Sequence, residues 1–108
     1  MTFDQREKAF ENKFALDSEL AFRAEARTCK LLGLWVAGEL GLSGAEAETY
    51  AKTVVAANLD EAGFDDVKRF VMKDITAKGL AITESMVDAK LQTCVTEAQK
   101  QILAEKQA

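Results

Sequence analysis

The chain has 108 residues, 48% hydrophobic and 30% charged, with a formal net charge of -4, no proline, no histidine and two cysteines. This fits one globular domain with a single core, and the acidic balance excludes the basic face on which nucleic-acid binding depends. Without histidine there is no HExxH zinc site and no Ser-His-Asp triad. Without an apolar run of about twenty residues there is no transmembrane span, and the charged first thirty positions exclude a secretory signal, so a cytoplasmic protein is expected.

The first stretch, Thr2 to Leu16, has a helical pattern unlike the others. Phe3, Phe10 and Phe14 recur at steps of seven and four, which at about 100° per residue gathers three rings into a strip roughly 40° wide. Asp4, Gln5, Arg6, Glu7, Lys8, Glu11, Asn12 and Lys13 cover the remaining circumference, so this helix fits a groove on a partner better than a core of its own. Thr2 and Gln5 have capping-box spacing, and Asp4 and Lys8 form an i,i+4 pair. About fifteen residues are marginal as a free helix, which predicts a mobile arm that orders on binding. The other reading leaves it packed on its own bundle, as amphipathic helices usually are.

Asp17 and Ser18 interrupt the pattern, placing a hinge or bend there and a second helix from about Glu19 to Leu40, while a helix continuous through Asp17 would cost only about a few tenths of a kcal/mol in propensity. Its apolar positions widen towards Leu31, Leu32, Leu34, Trp35, Val36 and Leu40, so that half is expected to be buried. Gly33 and Gly38 each lower helix propensity by about 1 kcal/mol, which predicts a close neighbour at both, and Gly41 supplies a left-handed stop. Ser43 and Glu46 form a capping box with Leu42 stapled onto Ala47, opening a third helix through Tyr50, Ala51, Val54, Val55 and Leu59 to a stop at Gly63. Asp65 or Asp66 caps a fourth helix with a buried row of Val67, Phe70, Val71 and Ile75, closed by Lys78 and Gly79. Ile82 and Thr83 begin the last helix, whose stripe is Val87, Leu91, Cys94, Val95, Ala98 and Ile102. The fold class is therefore all-α: a four-helix bundle over residues 17–108, with short antiparallel connections, carrying a mobile N-terminal helical arm over residues 1–16.

Little in this chain points to chemistry. Asp60, Glu61, Asp65 and Asp66 lack the ligand spacing of a calcium loop and read as helix caps. Arg23, Arg27 and Lys30 share one helical face, either as a solvated row or as a site for an anion such as a nucleotide phosphate. Trp35 and Tyr50 read as core-boundary residues with one polar atom wet, and Cys29 and Cys94 as small buried fillers. With no nucleophile, base or metal set in evident spacing, an enzyme is not expected, nor a required cofactor.

Two blocks, FDQREKAFENKFALDSEL and KLLGLWVAGELGLSGAEAETYAKTVV, resemble the zeta subunit family, bacterial inhibitors of the F-type ATP synthase. The resemblance spans Phe3 to Val55, about half the chain. It implies a four-helix bundle with an inhibitory arm that enters the catalytic head of the synthase and stops rotation in the hydrolysis direction. Carried over residue by residue, the contact set is Phe3, Arg6, Glu7, Lys8, Phe10, Glu11, Lys13 and Phe14. The family also implies ADP or ATP as a regulatory ligand of the bundle, assigned here to Arg23, Arg27 and Lys30. The expected protein is a monomer when free, peripherally associated with the membrane-bound synthase. The competing expectation is a helical adenine-nucleotide sensor without inhibitory activity.

Overall fold

The structure, a computed structural model, describes residues 18–58 and 63–107, with side chains as far as Glu105. Among the described residues there are four helices and no strand: α1 Ser18–Glu39, α2 Gly44–Ala57, α3 Asp65–Lys78 and α4 Glu84–Gln107. The all-α class is as the sequence predicts. The arm, the break at Asp17 and Leu59 lie outside the described residues.

Each helix exists because its apolar positions recur at helical spacing and its ends are written locally. At the end of α1, Gly41 takes φ 87°; its N–H bonds to the Gly38 carbonyl and the next, from Leu42, to the Ala37 carbonyl at 2.8 Å. That left-handed stop satisfies two carbonyls the helix would otherwise leave bare. Gly79 repeats it after α3, with φ 75° and the Leu80 N–H on the Ile75 carbonyl at 3.2 Å. At the start of α4 the Thr83 hydroxyl accepts the Met86 N–H at 3.2 Å, as an N-cap should.

The start of α2 departs from expectation. Ser43 stands at the N-cap in extended conformation, but its hydroxyl makes no cap bond. Gly44 at the first helical position adopts φ 55°, a left-handed conformation that distorts the turn a capping box requires. The far end of α2 also differs: it stops at Ala57 with Asn58 as the cap, and Gly63, at φ 93°, belongs to the connection into α3. Phe64 rather than an aspartate precedes α3, leaving Asp65 and Asp66 in its first turn, where their charge meets the helix dipole.

α1 is the central element. Leu32, Val36 and Cys29 meet Val54 of α2, Val67, Val71 and Ile75 of α3, and Val87, Leu91 and Cys94 of α4 in one core, with Trp35, Leu31, Tyr50 and Phe70 at its boundary. A smaller cluster of Leu20, Ala24 and Ile102 extends the contact between α1 and α4. The two run antiparallel: Leu20 clusters with Ile102, and Lys90 lies over the Trp35 ring at 5.8 Å. At Gly33 α2 comes tight against α1, since a Cβ there would stand 2.8 Å from the Ala51 Cα. Gly38 has nothing within 4 Å, so the expected close neighbour there is absent; it sits exposed in the last turn of α1. Lys68 ties α3 to α4 through Asp88 at 3.0 Å.

Candidate functional site

The cationic row on α1 is the only candidate site the sequence placed inside the described bundle, and the structure divides it. Arg27 is half-buried and spends its fork on α4, donating to Gln101 Oε1 at 2.7 Å and Glu105 Oε1 at 2.6 Å. Its charge is largely spoken for by a carboxylate, and its geometry is that of a clasp between helices. Arg23 and Lys30 are both exposed and make no hydrogen bond or ion pair among the described residues. The clasp was legible in principle, since Gln101 and Glu105 share one face at i,i+4, but only the antiparallel register of α1 and α4 shows that they face Arg27.

Other polar side chains hold the fold. The Tyr50 hydroxyl donates to Asp74 Oδ2 at 2.8 Å, and its ring lies 6.2 Å from that of Phe70. Burial, then that hydrogen bond and the Asp74 charge, push the tyrosine hydroxyl well above its ordinary range. Thr28, buried, donates to the Ala24 carbonyl at 2.7 Å. Cys29 and Cys94 are buried free thiols, as expected of fillers, and desolvation pushes Cys29 up to about 12, with the Glu25 charge adding to it. Such thiols are protonated at neutral pH and poor nucleophiles. Of the acidic group, Asp66 pairs with Arg69 one turn on, and among the described residues no set of three His, Cys, Asp or Glu side chains could hold a metal ion. Two shallow grooves flank Lys68, but its charge is met there by Glu84 and Asp88. The arm contacts, Phe3, Arg6, Glu7, Lys8, Phe10, Glu11, Lys13 and Phe14, lie outside the described residues.

The family model described as ATPase inhibitor subunit zeta matches residues 1–101. The chain belongs to this family. The zeta match includes the phenylalanine-bearing arm and runs almost to the end of α4, well beyond the two blocks that carry the sequence resemblance. A solved solution NMR structure is 46% identical over 78% of this chain and 95% of that one, with a TM-score of 0.69, so the zeta-family bundle is similar to an experimentally determined fold. No curated protein matches. As a member of an inhibitor family the protein is a regulatory subunit directed at an ATPase. None of its described helices is long and apolar enough to cross a membrane.

Proposed function

We propose that this zeta-family protein inhibits ATP hydrolysis by the F-type ATP synthase by inserting its N-terminal amphipathic helix into the catalytic head and blocking rotation. The observation that supports this reading is that all four described helices contribute to one core, built from described residues alone. In this reading the three rings are what the partner buries. Each would contribute roughly 2 kcal/mol when buried, less the cost of ordering the arm, while Arg6, Lys8 and Lys13 pair with partner carboxylates and set the register.

Inhibition of this kind asks for no catalysis by the inhibitor, which acts as a wedge with the bundle as its handle. The protein works in the cytoplasm, monomeric when free, at the periphery of the membrane-bound synthase. ADP or ATP as a regulatory ligand would rest mainly on Arg23 and Lys30, because the Arg27 fork is engaged with α4. Deleting residues 1–14 tests the central claim: helical circular dichroism of the bundle should survive while inhibition of the purified synthase disappears. Equal inhibition by the truncated protein removes the arm as effector.

A further inference from the structure

Phe22 stands 62% exposed on α1, the more open of the two large apolar side chains exposed among the described residues. At helical spacing, Phe22, Ala26, Lys30, Gly33 and Ala37 occupy one strip of α1 roughly 80° wide. Its C-terminal part, Gly33 and Ala37, is buried, with Gly33 tight against α2. In its N-terminal part Phe22 and Lys30 are exposed and Ala26 is half-buried, because α2 has 14 residues against the 22 of α1 and runs out at Ala57. The chain entering α3 returns to α1 at Glu25, whose carboxylate accepts the Gly63 N–H at 2.9 Å, but Glu25 is about 60° around the helix from Phe22. Beside the ring, Arg23 is exposed and has no ion-pair partner among the described residues, in a chain of net charge -4.

The length of the tether says what meets this patch. Phe22 follows Phe14 by eight residues, so even fully extended chain separates them by no more than about 28 Å. A surface that seats Phe14 therefore lies within about 28 Å of Phe22, so Phe22 and Arg23 meet its surroundings at high effective concentration. We propose that Phe22 and Arg23 form a second foothold on the ATP synthase, Phe22 entering an apolar hollow beside the seat of the arm and Arg23 pairing with a carboxylate at its rim. The foothold rests on the arm reading above and deepens it. Phenylalanine and arginine are both residue types enriched at protein interfaces relative to the rest of the surface.

The test is inhibition of purified synthase by full-length variants, alongside their thermal unfolding and sedimentation. Phe22→Ala should raise the half-inhibiting concentration about tenfold and Arg23→Ser several-fold, the latter loss shrinking at high salt, with unfolding midpoints unchanged since neither side chain is in the core. Phe10→Ala/Phe14→Ala in the arm should remove inhibition altogether. If Phe22→Ala keeps wild-type potency while the arm variant fails, the foothold is wrong and the arm reading stands. If the arm variant inhibits fully, the arm reading falls by itself. A wild-type dimer that Phe22→Ala dissociates at unchanged potency would assign the patch to a second copy of this chain, and a gain in potency would assign it to the protein's own arm; either result overturns the foothold.

Discussion

Gly33 and Gly38 are chemically identical, five residues apart on one helix, and should respond oppositely to alanine. At Gly33 the new methyl would press on the Ala51 backbone at 2.8 Å and the Val54 side chain at 3.2 Å, and backbone cannot step aside as a rotamer can. Gly33→Ala should cost about 1–3 kcal/mol despite the better helix propensity, whereas Gly38→Ala should gain about 0.5 kcal/mol; urea unfolding of the two variants checks both signs. Cys29 makes a second residue-level claim. Its thiol loses a proton near the ordinary value of 9.0 when unfolded but only at about 12 when folded. The native state then holds the extra proton, so this stability is fully present below pH 9 and drains away as pH rises from 9 to 12, at up to about 1.4 kcal/mol per pH unit. Tyr50 adds to the same alkaline loss, starting from its ordinary value of 10.0. Urea midpoints should fall between pH 8 and 10.5, and Cys29→Ala should flatten that slope even though the variant is less stable throughout.

At the scale of the element, helix boundaries that look alike in sequence differ in energy. Thr83 makes its cap bond to the Met86 N–H and Ser43 makes none. Thr83→Ala should lower stability by about 1 kcal/mol, and Ser43→Ala by a few tenths at most, as read from chemical denaturation. The Arg27 clasp joins α1 to the last turns of α4, and its partly exposed ion pair with Glu105 is worth no more than about 1 kcal/mol after screening. Its effect should be local. Arg27→Gln is expected to speed amide exchange at the start of α1 and the end of α4 while leaving amides near Leu32 and Val36 protected, since those sit in the main core.

For the molecule as a whole, the bundle core and the arm carry two jobs that mutation should separate. Leu32 and Val36 hold the four helices together from the fully buried side of α1, so Leu32→Ala should cost about 3 kcal/mol. Its inhibitory potency, measured well below the unfolding transition, should stay near wild type. The arm substitutions should behave in reverse, losing inhibition at an unchanged unfolding midpoint. An inhibitor organised as wedge and handle allows this separation; one whose arm completes the core would lose both properties together.

Sequence by itself determined the helical class, the apolar stripes of all four helices and the glycine stops at Gly41 and Gly79, because spacing and backbone freedom are properties of a few neighbouring residues. It also carried the arm pattern, which is a statement about three rings on one strip. What only the tertiary structure decided were the choices that depend on which helix lies opposite. These include the close approach at Gly33 and its absence at Gly38, the diversion of Arg27 from the cationic row to Gln101 and Glu105, and the exposure of Phe22 where α2 ends too soon to cover it. Each turns on the length and register of a partner helix, and neither quantity is written in the residues that it governs.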